Sequence, residues 1–85
     1  MRPYKVLITH ELFRLTKPSA QEKQRLLAFL ESLTRDPFQN GDYQETDSIG
    51  RPVQIKIIGK FALTFWADHP VNEVKVIQVE IADGR

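Results

Sequence analysis

The apolar positions of this chain change period part-way along it. Between Ser19 and Arg35 they include Leu26, Phe29, Leu30 and Leu33, the three-and-four spacing that gathers side chains on one face of a helix. Between Val53 and Phe65 they alternate. Val53, Ile55 and Ile57 are separated by Gln54 and Lys56, and Phe61, Leu63 and Phe65 are separated by Ala62 and Thr64. A period of two is that of a strand with one face buried. The helix also has defined ends. Ser19-Ala20-Gln21-Glu22 has the form of a capping box, in which the serine hydroxyl and the Glu22 carboxylate satisfy each other's backbone N–H groups. Asp36-Pro37 stops the helix, because a residue before proline is pushed out of helical geometry. Gln24, Arg25, Glu31 and Arg35 fall on its wet side.

The remaining elements follow from weaker signals. Tyr4 to Thr9 is rich in β-branched and aromatic residues and predicts a first strand. Thr9 can cap a short helix, His10 to Lys17, with Glu11 in its first turn and Pro18 at its end. Asn40-Gly41 marks the loop from Phe38 to Asp42, and Tyr43 to Asp47 reads as a polar edge strand. Ile49-Gly50-Arg51 is a turn, Gly59-Lys60 a tight hairpin, and His69 to Asn72 the next connection. The last segment, Glu73 to Ala82, breaks its own alternation. Val74 and Val76 share one parity, while Ile77, Val79 and Ile81 share the other. Either a bulge near Val76-Ile77 shifts the phase by one, or both faces are covered there.

This order predicts an α+β fold, with an N-terminal strand and a helical hairpin packed on one face of an antiparallel sheet. The expected core is Leu26, Phe29, Leu30 and Leu33 against Val53, Ile55, Phe61, Leu63 and Phe65.

Composition narrows the possible chemistry. Eighty-five residues make a single domain, residues 1–85. A chain of this size buries roughly 60–65% of its unfolded surface, so a ligand is expected on a surface or in a groove. The absence of cysteine excludes disulfides, thiolate nucleophiles and thiolate metal sites, and suits a reducing compartment. No apolar run reaches the roughly 18 residues of a membrane span, and no signal-peptide core follows Met1-Arg2-Pro3-Tyr4-Lys5. The expectation is a soluble, cytoplasmic protein. Twelve basic residues against eleven acidic ones leave a net charge of +1, which gives no whole-molecule attraction to nucleic acid.

Few residues carry candidate chemistry. Asp68-His69 could be a catalytic pair, but neighbours in extended backbone point to opposite sides, and Asp-His-Pro is ordinary turn composition. His69 is therefore not expected to be an essential acid or base. His10 stands alone at the other end of the chain, so neither a metal site nor a cofactor is expected. Arg51, Lys56 and Lys60 surround the central hairpin. They can hold phosphates on the open face of the sheet or serve as a solvated guard against aggregation. Trp66 lies opposite the Phe61-Leu63-Phe65 stripe. It either covers the second sheet face or stands ready as an anchor for a partner, as Tyr43 does on the edge strand.

Four stretches, LTRDPF, QNGDYQE, VQIKIIGKFALTFWAD and VKVIQVEIAD, resemble the RelE/ParE superfamily of bacterial toxins from type II toxin–antitoxin systems. The resemblance follows element order over nearly the whole chain. It implies a RelE/ParE-like fold and a cognate antitoxin as partner. It also implies a target that is either messenger RNA on the ribosome, cut without a metal, or DNA gyrase. Lys56 stands where the family commonly has a basic residue, so on the ribonuclease side it is the expected catalytic cation, with Arg51 and Lys60, from their place around the hairpin, expected to help place the RNA. On the partner side the expected anchors are Trp66 and Tyr43. The sequence also departs from the family. Gly59-Lys60-Phe61 matches the family's hairpin turn, but Ala62 stands where an arginine often follows. Ile81 and Ala82 stand where RNA-cleaving members often carry a polar pair. The alternative implied by those departures is a catalytically inactive protein-binding module with the same fold.

Overall fold

The computed structural model describes residues 3–8, 11–12 and 16–82. Strand β1 is Lys5–Ile8, helix α1 is Ala20–Arg35, and strands β2 to β5 are Tyr43–Thr46, Pro52–Ile58, Phe61–Asp68 and Glu73–Ile81. One turn of 3-10 helix, His69–Val71, joins β4 to β5. The strands form one sheet in the order β1-β5-β4-β3-β2. β1 runs parallel to β5, and every other pairing is antiparallel. This is the expected α+β architecture with a parallel edge added. Of the expected helix from His10 to Lys17, Glu11, Leu12 and Thr16 are helical. Thr9, His10 and residues 13–15 lie outside the described residues.

Helix α1 begins at the capping box foreseen from the sequence. Glu22 N–H donates to Ser19 Oγ at 3.1 Å, and Ser19 N–H donates to Glu22 Oε1 at 2.8 Å. Its apolar stripe packs on the sheet. Leu26, Leu30 and Leu33 are buried with Phe61, Leu63 and Phe65 of β4 and Val74, Val76 and Val79 of β5, while Phe29 meets Phe65 edge-on at 5.5 Å. The bulge alternative for β5 holds. Thr64 pairs with Gln78 and Phe65 with Val76, which leaves Ile77 as the extra residue. The one-residue shift puts Val74, Val76 and Val79 on the same face although their parities differ.

One expectation about the core is overturned. Ile55 pairs with Thr64 and Ile57 with Ala62, and directly opposed residues share a sheet face. Val53, Ile55 and Ile57 therefore lie on the face away from α1, and Gln54, Lys56 and Ile58 lie on the helix side. The physical cause is the hairpin itself. A two-residue turn at Gly59-Lys60 pairs Ile58 with Phe61, which forces even positions of β3 to match odd positions of β4. Gly59 supplies the positive φ, +60°, that such turns demand.

The loop before β2 is held closely against β3. Gly41 N–H donates to Gln54 Oε1 at 2.9 Å and Asp42 N–H to the Ile55 carbonyl at 2.8 Å. A side chain at Gly41 would collide with the backbone of Ile55.

Candidate functional site

The face of the sheet away from α1 carries the chain's tryptophan. Trp66 pairs with Lys75 of β5, and two cations flank its ring. The Arg51 guanidinium carbon lies 4.0 Å from the ring centroid and Lys75 Nζ lies 5.2 Å from it, both within cation–π range. Each cation is in turn tied to a carboxylate. Arg51 Nε and Nη2 both lie 2.8 Å from Asp47 Oδ2, and Lys75 Nζ lies 2.8 Å from Asp68 Oδ2. The backbone N–H groups of Arg51 and Ile49 also donate to Asp47 Oδ1, at 2.9 and 3.0 Å. The hydrogen bond from the Arg51 backbone is the largest of the effects that lower the Asp47 pKa below its ordinary value. The indole Nε1 of Trp66 is buried without a hydrogen-bond partner. Such a donor costs about 1–3 kcal/mol.

Register places Tyr43 on the same face. Tyr43 pairs with Ile55, Ile55 with Thr64, and Leu7 of β1 pairs with Lys75. The two proposed partner anchors, Trp66 and Tyr43, are thus brought onto one surface, with Ile55 and Leu7 beside them. Tyr43 is 61% exposed and Leu7 44%. β2 is exposed at every position. Its neighbour β3 is partly shielded just beyond it, because Asp42 Oδ2 accepts the Ile57 N–H at 2.7 Å.

The three cations expected to act together do not meet. Lys56 pairs with Leu63 and so lies on the helix side of the sheet, not on the open face. Its Nζ is 3.8 Å from Asp42 Oδ1 and 5.9 Å from the Phe29 ring centroid. Lys60, in the turn, reaches back toward α1, with Nζ 3.4 Å from Glu22 Oε2 and 5.5 Å from the Phe61 ring centroid. Only Arg51 belongs to the open face, and there it holds Trp66. Arg51, Lys56 and Lys60 each have a carboxylate within 4 Å. Ala62, at the family's arginine position, is buried between cross-strand neighbours Ile57 and Glu80. The face that would have to receive phosphate therefore offers an acid there.

Asp68 and His69 do not pair with each other. Asp68 binds Lys75, and His69 Nδ1 lies 2.7 Å from the hydroxyl of Tyr4. Phe38 joins this cluster, 5.6 Å from Tyr4 and 5.8 Å from His69 between ring centroids. Nothing local in the sequence marks Tyr4 or Phe38. They come together because β1 pairs with β5 and the N-terminal arm bonds the end of α1, Tyr4 N–H to the Thr34 carbonyl at 3.1 Å. Among the described residues no group of three or more histidines and carboxylates is placed to hold a metal ion, and no helix is long and apolar enough to cross a membrane.

No protein-family model matches the sequence, and no curated protein matches it. Solved structures do. A chain of the archaeal RelE–RelB complex from Pyrococcus horikoshii OT3 is 11% identical, with a TM-score of 0.79, over 98% of this chain and 99% of that one. A chain of the RelBE2 toxin–antitoxin complex from Mycobacterium tuberculosis is 21% identical, with a TM-score of 0.72, over 93% of this chain and 98% of that one. With the same helix-on-sheet architecture matched almost end to end, the chain has the α+β fold of RelE-type toxins.

Proposed function

We propose that this chain is the toxin component of a toxin–antitoxin module, and that a cognate antitoxin binds the sheet face away from α1. The observation that carries the proposal is the near-complete match to chains from two toxin–antitoxin complexes. The surface chemistry supports the location. Trp66 and Tyr43 share one face, and aromatic side chains flanked by less energetic contacts are the usual anchors of protein interfaces. The exposed edge β2 adds unpaired backbone groups that an extended segment of the antitoxin can use. Binding of full-length chain to the helical protein encoded beside it, measured by calorimetry, tests the proposal. Trp66→Ala should weaken that binding by about 2 kcal/mol or more. Wild-type affinity in a folded Trp66→Ala variant would remove this face as the interface, and failure of any neighbouring gene product to bind would remove the toxin reading.

A second reading, RNA cleavage, rests on one observation. At 3.8 Å the Lys56–Asp42 pair is longer than the other ion pairs made by the sheet cations, so Lys56 is the cation most readily released to a phosphate. In that reading Lys56 stabilises charge developing on phosphorus, and Arg51 and Lys60 place the RNA. The scattered, neutralised cations favour action by binding, with gyrase as the alternative target. Conditional expression separates the readings. Growth inhibition accompanied by cut messenger RNA, both lost in Lys56→Ala, would support cleavage, whereas inhibition indifferent to Lys56 supports binding.

A further inference from the structure

A groove of about 740 Å3 opens beside the C-terminal end of α1, and Tyr4, Phe38, His69, Asn72, Arg35 and Asp36 line it; Phe38 also borders a hollow that contains Arg51 and Trp66. Its parts are unusually well held for a surface feature. Tyr4 is buried. The Tyr4 hydroxyl engages His69 Nδ1 at 2.7 Å, so Nε2 is the ring nitrogen left for an incoming group. In a neutral imidazole one nitrogen donates and the other accepts, and a phenol hydroxyl can play either part. Rotation of the phenol O–H, together with the change of imidazole tautomer, therefore lets Nε2 meet either a donor or an acceptor. Asn72 stands in left-handed geometry, φ 54° and ψ 49°. Its N–H bonds the His69 carbonyl at 3.2 Å, and its own carbonyl accepts Lys5 N–H at 3.0 Å. His69 and Asn72 are thereby fixed to the frame of the sheet. Phe38 is 60% exposed, although Tyr4 and His69 both pack on its ring.

We propose that this groove binds a nucleobase, with Phe38 as the stacking surface and His69 Nε2 and the Asn72 amide reading the polar edge of the base. An apolar side chain from a protein would use the rings and leave both polar groups unmatched. A flat heterocycle with donors and acceptors around its edge uses both kinds of group, as in single-stranded recognition by aromatic platforms. Arg35 stands at the rim, in an exposed ion pair with Glu31 at 3.6 Å, and can accept an attached phosphate. With a net charge of +1 the affinity comes from stacking and hydrogen bonding, so it changes little with salt. The proposal does not rest on antitoxin capture, although Phe38 also borders the Trp66 face.

Titration of the full chain with each of the four ribonucleoside 5′-monophosphates, followed by amide NMR, tests it, with ribose 5-phosphate as the arm that lacks a base. At least one mononucleotide should give saturable shifts at Phe38 and at His69–Asn72, and ribose 5-phosphate should give none. Phe38→Ala, at an exposed position that leaves the fold intact, should weaken binding about tenfold, within the range for loss of one stacking platform. Phe38→Trp should keep it. Tyr4→Phe keeps the ring but frees the imidazole, and should weaken binding by less than Phe38→Ala. Absence of saturable shifts with all four nucleotides, equal shifts from ribose 5-phosphate, or unchanged binding in Phe38→Ala would overturn the proposal. So would shifts at His69 and Asn72 produced by the antitoxin alone.

Discussion

The two faces of the sheet are built from the same strands and held together in opposite ways. Toward α1 the contacts are apolar and close: Leu26, Leu33, Phe61, Leu63, Phe65 and Val74 are almost completely buried. Away from α1, Val53, Ala62 and Thr64 are buried as well, and a network of charged side chains lies along the same face. Asp47 fixes Arg51, Arg51 and Lys75 flank Trp66, and Asp68 fixes Lys75. Non-directional burial stabilises the first face, so that face can change little without loss of the fold. The second is held by directional contacts at its rim and leaves Tyr43, Ile55 and Leu7 accessible in part, which is what a binding surface requires. One face is closed by the helix, and the other keeps exposed side chains, Tyr43 and Leu7, beside its buried ones.

Truncations give the largest test of that contrast. Leu30→Ala, on the covered face, should destabilise the protein by about 2–5 kcal/mol, measured by urea unfolding. Ile55→Ala, on the other face and only half-buried, should cost clearly less. Equal losses would mean that both faces act as core.

Gly41→Ala probes the seam between the loop and β3. The added methyl meets the Ile55 backbone, which cannot move without disturbing the sheet, so a loss of about 1–3 kcal/mol is expected, the range for overpacking. A neutral result would show that the loop lifts away at little cost.

The polar layer is tested by pH. Folding lowers the Asp47 pKa from its ordinary value of 3.8. Its contribution to stability is therefore present above that value, and it is lost as pH falls through the lower folded-state value. Asp47→Asn should be less stable than wild type at pH 7, and the gap should close below pH 3.8 as the wild-type carboxylate becomes protonated. A gap that persists in strong acid would assign the effect to geometry, not charge.

The smallest effect is expected at Lys56. Its pair with Asp42 is long and partly exposed, and such pairs contribute about 0–1 kcal/mol. Lys56→Ala should leave both thermal stability and antitoxin binding nearly unchanged. A large loss of either would move Lys56 into the core or into the interface.

Much of this was readable in the residues. The capping box, the Leu26-Phe29-Leu30-Leu33 stripe, the hairpin at Gly59-Lys60 and the β5 bulge are local patterns, and each has a local cause. The face occupied by Val53 and Ile55 was also implicit, since a two-residue turn dictates which parities match. The alternation within each strand suggested a single joint stripe and hid this. The placement of Lys56 went astray for the same reason, because its face follows from register.

Other features had no local sign. The pairing of β1 with β5 joins residues about 70 positions apart, and it brings Tyr4 to His69 and Phe38. The carboxylate partners of Lys56 and Lys75, and the two cations on Trp66, are likewise set by which strands lie side by side, whereas Asp47 is only four residues from Arg51 in the same turn. The sequence by itself determined the elements, their caps, their turns and the apolar stripe that must be covered, because those depend on backbone geometry and spacing over a few residues. Only the tertiary structure decided which charges are neutralised, which aromatic rings remain accessible and which polar groups share a groove. Those properties depend on distances between residues far apart in the chain, and folding alone brings them together.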